Sequence, residues 1–357
     1  MIISCTKKLQ DELGIKPSLL MTENPLYSWH ANIVRVNRRK TVVLVNDASR
    51  YNVILYGLKA KDFKNIQNTI LLGIRQILLW DGVNDVVIDQ YLKKAGQISF
   101  SKTQSRALVA RLNKGCEAAN LFDDCYSEDG ISQSLVSKIA NKFIFFDCSG
   151  EYKHANEIFY EELSKEFDLP IIKCKALKLS VKMKLNKFNI WRNVIVPLNF
   201  TFEELHKSLQ NIFNWNNCHL HDFMIFDGNN PIINIVSSEE SLQYKTDIPM
   251  ILENQIKISE YLPKYKNINY RYDYGNNWEN IIRVEDVIFD YDKNYACCID
   301  GNGAAPPEDV GGEFGFDEFI KIINDPNNEE YDNMKQWAEI QGYKEFDIEM
   351  VNRRLRF

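Results

Sequence analysis

Apolar residues along this chain recur with two periods, and the period changes several times. From Ala176 to Leu185 they alternate, with Leu177, Leu179, Val181, Met183 and Leu185 against Lys178, Ser180, Lys182 and Lys184. A period of two marks a strand buried on one face. Between Lys61 and Trp80 the residues Phe63, Ile66, Ile70, Leu71, Ile74, Ile77 and Leu78 keep helical spacing and predict one amphipathic helix. Thr41–Val45 is rich in β-branched residues and reads as a strand between the turns Asn37–Lys40 and Asn46-Asp47.

Extended to the whole chain, these patterns predict two regions. In the first, Thr6 caps a helix over Lys7–Leu13 that Gly14 ends. Strands at Tyr27–Val36, Thr41–Val45 and Tyr51–Tyr56 form an antiparallel meander. Helices follow at Lys61–Trp80, Asn84–Lys94 and Thr103–Leu121. An acidic connector carries short helices over Ser132–Lys142 and Glu157–Phe167, with recurring aromatics that argue for order. In the second region, strands at Ala176–Leu185 and Asn189–Val196 precede a helix opened by a Thr201/Glu204 capping box. Hairpins pair Cys218–Phe226 with Ile232–Val236, and Asn267–Tyr274 with Trp278–Phe289. Helices over Phe316–Ile323, Asn328–Glu339 and Asp347–Leu355 close the chain. The class is α+β, two domains each built on a mainly antiparallel sheet with packed helices. The domains are placed at residues 1–167 and 173–357, with the boundary near Phe167–Ile172; 357 residues fit two domains at roughly 100–200 residues each.

One stretch resists both periods. Cys297–Gly312 packs four glycines, two prolines and the carboxylates Asp300, Glu308 and Asp309 into a run through which no strand or helix is expected. A loop this constrained has a fixed shape, and shaped loops on rigid scaffolds often carry function.

Charge separates the two regions further. Residues 1–120 hold 18 Lys and Arg against 9 Asp and Glu, a formal +9, while the whole chain is -6. The remainder is therefore -15, a split that points to a partner or to mutual attraction. No apolar run approaches the ~18 residues of a membrane span, and the opening Met1–Leu9 lacks a secretory pattern. The eight cysteines (Cys5, Cys116, Cys125, Cys148, Cys174, Cys218, Cys297 and Cys298) show no Cys-x-x-Cys pair, so they read as mostly buried thiols of a cytoplasmic protein.

Candidate chemistry falls in two places. Arg35, Arg38, Arg39 and Lys40 bunch at a hairpin tip, and cations so placed suit phosphate backbones or an acidic protein surface. His30, between Trp29 and Ala31, reads as structural. His219 and His221 are two apart on an expected strand and so share a face. With Asp273, Glu308 and Asp309 they make a mixed nitrogen and oxygen donor set for a divalent metal such as zinc, iron or manganese. The same carboxylates also serve to lock the loop by accepting backbone N–H groups. No phosphate-binding glycine loop, Walker lysine or nucleophile elbow is present.

Two resemblances add to this reading. Ile2–Leu9, Leu26–Asn32, Asn37–Thr41, Tyr56–Phe63 and Arg111–Lys114 resemble a bacterial domain family of unknown function over about the first 120 residues. Ile190–Arg192, Leu205-His206, Trp215, His219–Phe223, Tyr272–Trp278, Gly303–Gly312, Asp325-Pro326, Trp337 and Phe346–Asn352 are similar to the plasmid Ri open-reading-frame-three family, also labelled insertion-element passenger or TnpR-like. That resemblance spans residues 173–357 and implies an α+β fold and association with mobile elements, with no established activity. The family pattern carries an acid and a histidine where this chain has Asn276 and Asn280, on either side of Trp278. The resemblance thereby adds Trp278 and Asn280 to the candidate site. Two readings stand: a non-catalytic binding module for nucleic acid or a protein partner, favoured by the two amides, and a metal-dependent hydrolase.

Overall fold

The computed structural model describes residues 1–146, 150–243, 246–253 and 256–356. The chain is α+β, and its contacts divide it into two units, Met1–Lys173 and Cys174–Phe357.

The first unit is built on a sheet of order β4-β3-β2-β1-β5, made of β1 (Ile2–Cys5), β2 (Ser28–Val36), β3 (Arg39–Asn46), β4 (Asn52–Tyr56) and β5 (Ser99–Lys102). β2, β3 and β4 form the expected antiparallel meander. β1 lies parallel to both β2 and β5, so the sheet is mixed; four residues at Ile2–Cys5 were too few to announce a strand. Its helices are α1 (Lys7–Leu13), α2 (Ala60–Lys64), α3 (Ile66–Trp80), α4 (Asp85–Ala95), α5 (Arg106–Leu121), α6 (Ser134–Asn141) and α7 (Ala155–Glu166). Thr6 caps α1 by accepting from Leu9 N, and Gly14 ends it at φ 66°. The single helix expected over Lys61–Trp80 is broken at Asn65 into α2 and α3. A short hairpin, β6 (Ile144–Phe146) with β7 (Tyr152–His154), precedes α7.

Both faces of this sheet are covered. Val42, Leu44, Val53 and Leu55 pack with Ile70, Ile74 and Ile77 of α3, Val87 and Tyr91 of α4 and Phe159 of α7. Val43, Val45 and Ile54 point the other way, against Leu112 and Ala119 of α5 and Val136 of α6. That is why Thr41–Val45 reads as an unbroken apolar run. Gly115 permits α5 to sit close, since a Cβ there would stand 2.4 Å from Asn52 Oδ1 and 2.7 Å from Val45. The acidic connector belongs to this unit. With it the unit holds 23 Lys and Arg against 20 Asp and Glu, and the +9 of residues 1–120 falls to +3.

The second unit has β8 (Cys174–Met183), β9 (Trp191–Pro197), β10 (His221–Asp227), β11 (Asn230–Val236), β12 (Met250–Leu252), β13 (Asn267–Tyr272), β14 (Trp278–Tyr291) and β15 (Cys297–Asn302). Their order is β12-β11-β10-β13-β14-β8-β9-β15, antiparallel except where β12 joins β11. Leu177, Leu179, Val181 and Met183 of β8 lie in the core with Phe223, Tyr270 and Ile282, under α8 (Phe202–Phe213), α9 (Gly312–Ile323), α10 (Tyr331–Ile340) and α11 (Ile348–Leu355). Lys178, Ser180 and Lys182 face away and stay at least partly exposed. The glycine-rich stretch is not wholly loop. Cys297–Asn302 forms the edge strand β15 against β9, with a register shift between Cys298 and Asp300. Backbone pairing with β9 overrides the weak strand propensity of its Gly301. Among the described residues no helix is long and apolar enough to cross a membrane.

Candidate metal centre

The loop after β15 is held from beneath by a buried cation. Arg192 sits on the inward face of β9, in step with Val194 and Val196, and is 2% exposed. Its guanidinium donates to Asn302 O at 2.7 Å, Gly303 O at 2.9 Å and Ile212 O at 3.2 Å, and Phe346 covers it at 4.1 Å. Burial lowers its pKa to about 10. Gly301 must be glycine for this arrangement, since a Cβ would stand 2.8 Å from the Arg192 side chain and 2.7 Å from Phe346. Further along, Trp215 Nε1 donates to Pro306 O at 3.0 Å. Glu308 Oε1 accepts from Asn216 N at 2.7 Å and from the Tyr272 hydroxyl at 2.9 Å.

These bonds aim the loop's carboxylates at His219. His219 lies just ahead of β10, and Leu220 O accepts from Asp273 N at 3.0 Å, which ties that segment to the β13–β14 turn. His219 Nε2 then stands 3.6 Å from Asp273 Oδ2, 3.6 Å from Glu308 Oε2 and 3.2 Å from Asp309 Oδ1. Ligand atoms bound at about 2.1 Å around a tetrahedral or octahedral cation lie about 3.0–3.5 Å apart. His219, Asp273 and Asp309 offer atoms all within 4.8 Å of one another, and Cys218, His219 and Glu308 make a second such set. Glu308 is 3% exposed, yet its Oε2 has no hydrogen-bond partner among the described residues, and neither has His219 Nε2. A buried carboxylate oxygen without a donor is costly unless a cation meets it. Asp309, by contrast, is 66% exposed and opens the cluster to water.

Asp273 does two jobs. It lies one residue beyond β13, at φ 57°, not within the strand as expected. Its Oδ1 accepts from Gly275 N and Asn276 N, and its Oδ2 accepts from the Asn276 amide at 2.5 Å. Tyr272 hydrogen-bonds Glu308, and burial together with that carboxylate pushes the phenol well above its usual range. Cys218 is near enough to join His219 and Glu308, but burial and Glu308 push its thiol up, making it the weaker donor.

Three other expected members lie elsewhere. His221 does not join His219, because only His221 belongs to β10 and the expected shared face does not exist. It is buried, bonds Glu253 Oε2 at 2.9 Å and stacks on His206 with centroids 3.4 Å apart. His206 in turn bonds the Tyr270 hydroxyl and Asn217, and burial, then its neighbour His221, lowers its pKa to about 3. Trp278 and Asn280 face the core from β14, opposite Tyr272 and Tyr270. Asn280 gives its amide to Trp278 O at 3.2 Å.

In the first unit, the basic hairpin is partly neutralised. Arg39 pairs with Glu128 at 2.7 Å, Lys40 with Glu12 at 2.6 Å, and Arg35 donates to Arg38 O. His30 is structural as expected, bonded to Asp47 at 2.6 Å and buried. Cys5, Cys116 and Cys298 are buried free thiols, Cys125, Cys174 and Cys297 are half-buried and Cys218 is exposed, while Cys148 lies outside the described residues. The supporting roles of Arg192, Trp215 and Tyr272 were not foreseen. The available signal was a charged residue at an inward position of β9.

Comparison with known proteins finds a match for each unit. Residues 2–158 match a domain of unknown function, DUF6933. The uncharacterized protein y4hQ of Sinorhizobium fredii (strain NBRC 101917 / NGR234) is 25% identical over 177 residues, which cover 46% of this chain and 79% of that protein. The crystal structure of a protein of unknown function, MM3350 from Methanosarcina mazei Go1, is 30% identical with a TM-score of 0.42, covering 49% of this chain and 96% of its own. The model of the plasmid pRiA4b ORF-3-like proteins matches residues 175–355, and the chain belongs to that family.

Proposed function

We propose that the second unit is a divalent-metal-binding domain in which His219 is shared by two donor sets, one with Asp273 and Asp309 and one with Cys218 and Glu308. The observation that carries this reading is the buried Glu308 Oε2, unpartnered and 3.6 Å from an unpartnered His219 Nε2. The Tyr272 hydroxyl orients the same carboxylate through its other oxygen, as outer groups do for metal ligands. One imidazole with two carboxylates, as in His219, Asp273 and Asp309, suits zinc, manganese or iron. Asp309 is exposed, so a metal held by these residues would face solvent on that side and would supply an activated water for hydrolysis, the activity class we assign. With half of the cations at the basic hairpin tip already paired, no observation favours nucleic acid as the partner.

The test is elemental analysis of the full chain after loading with Zn²⁺ or Mn²⁺ and gel filtration. The expected result is one retained ion per chain. It is lost in the His219→Ala/Asp273→Ala double variant, and affinity falls at least about tenfold in Glu308→Gln. A chain that retains no ion, or a double variant that retains it unchanged, overturns the reading and leaves an ion-pair cluster.

A further inference from the structure

The first unit contains a cavity that none of the chemistry above uses. It has a volume of about 570 Å³ and lies between α5, α6, the β6–β7 hairpin and the start of β4. That volume falls within the roughly 300–1,000 Å³ of small-molecule sites.

Its lining is graded along α5. Arg111, Lys114, Ala118 and Leu121 follow at helical spacing, so one stripe of the helix faces the cavity. Arg111 is placed by a neutral group, donating to Asp47 O at 3.0 Å, and the same neighbourhood brings Arg50 to the cavity wall. Lys114 adds a second charge from α5, shared with Glu117 at 2.7 Å. At the other end of the stripe Leu121 lines the cavity with Phe143 and Ile144, and Phe143 packs on Phe122 with ring centroids 5.6 Å apart. Leu121, Phe143 and Ile144 are all exposed, Leu121 by 68%. From Arg111 to Leu121 the helix rises about 15 Å.

Arg50 also stacks on Phe145 at 4.1 Å, so three cations and Glu117 line the cavity beside apolar groups, a net positive and partly apolar wall that selects an anion carrying an apolar chain. We infer that this cavity binds an anionic amphiphile, a carboxylate carrying an unbranched apolar chain. The head lies at Arg111 and the chain runs along Ala118 toward Leu121 and Phe143. Burying the chain removes exposed apolar surface at a gain of roughly 25 cal/mol per Å². Arg111 supplies the charge-assisted hydrogen bond that fixes its direction.

Calorimetric titration of the full chain with sodium dodecanoate, below its micelle concentration, tests this. Dodecyltrimethylammonium, with the same chain and the opposite head charge, is the control. The expected result is saturable dodecanoate binding at one site and at least about tenfold weaker binding of the cation, the equivalent of about 1.4 kcal/mol. Ala118→Trp fills the cavity and removes dodecanoate binding. Arg111→Met weakens dodecanoate at least about fivefold without weakening the cation. If Ala118→Trp fails to unfold cooperatively, the head-group comparison and Arg111→Met decide. The inference is overturned by no saturable binding of dodecanoate, by equal affinity for the two heads, or by an affinity that Arg111→Met leaves unchanged.

Discussion

The two sheets of this chain solve burial differently. In the first unit, neighbouring residues of β3 point into different cores, Leu44 toward α3 and α7 and Val43 toward α5 and α6. In the second, β8 buries every other residue and leaves Lys182 exposed. The sheet covered on both faces still buries polar residues, Ser4, His30, Thr41 and Ser101 among them. The one-sided sheet places polar residues on its buried face, among them Arg192, Tyr270, Tyr272 and Asn280. Each of these needs partners, and those of Arg192 and Tyr272 belong to the loop beside His219.

The largest expected effect comes from removing the cation under the loop. Arg192→Met leaves the carbonyls of Ile212, Asn302 and Gly303 without this donor and destabilises the second unit by about 3–5 kcal/mol. Denaturant unfolding followed by hydrogen exchange reads it, and an unchanged second unit would break the comparison. Next come the two faces of the first sheet. Leu44→Ala and Ile54→Ala face opposite sides, and each costs about 2–5 kcal/mol. A negligible loss from either would show that one face is not a real core.

The stacked imidazoles give a pH signature. Folded His206 titrates near 3, well below the 6.5 of a free imidazole, so the unfolded state binds the extra proton in between. The stability it contributes is fully present above pH 6.5 and is lost as pH falls toward 3, at up to about 1.4 kcal/mol per pH unit. His206→Gln flattens that slope; a variant with the wild-type slope would discount the pair. A smaller change sharpens the metal reading. Asn276 gives its amide to Asp273 Oδ2, so Asn276→Asp replaces that donor with a second carboxylate. Zn²⁺ affinity then rises about tenfold, while the metal-free protein loses about 1 kcal/mol through like-charge repulsion. Calorimetric titration checks it, and a weaker affinity counts against Asp273 as a donor. The smallest effect is Lys182→Ala, within about 0.5 kcal/mol by thermal unfolding, since its face carries no core.

Much of this architecture was legible because it is local. The Leu177–Met183 alternation, the Thr6 and Thr201 caps and the Ile66–Leu78 stripe each state their element in a few residues. What was not legible depends on distant partners. β1 is a strand because β2 and β5 flank it, and β15 because β9 does. His219 and His221 look equivalent in sequence, but the strand begins between them and gives one to Glu253 and the other to Asp273, Glu308 and Asp309. Sequence spacing carries no information on where a strand will start relative to its neighbours' ends.

The bonds that hold Glu308 in place do not involve its free oxygen. Oε1 is engaged by Asn216 and Tyr272, and the loop on which Glu308 sits is tethered by Arg192 and Trp215. Most of the ordering entropy of this ligand is therefore spent when the chain folds, not when an ion arrives. On the proposed metal reading, loading and unloading would leave the backbone where it is, and the unit would exchange a cation without unfolding, unlike small domains whose fold is made by their metal.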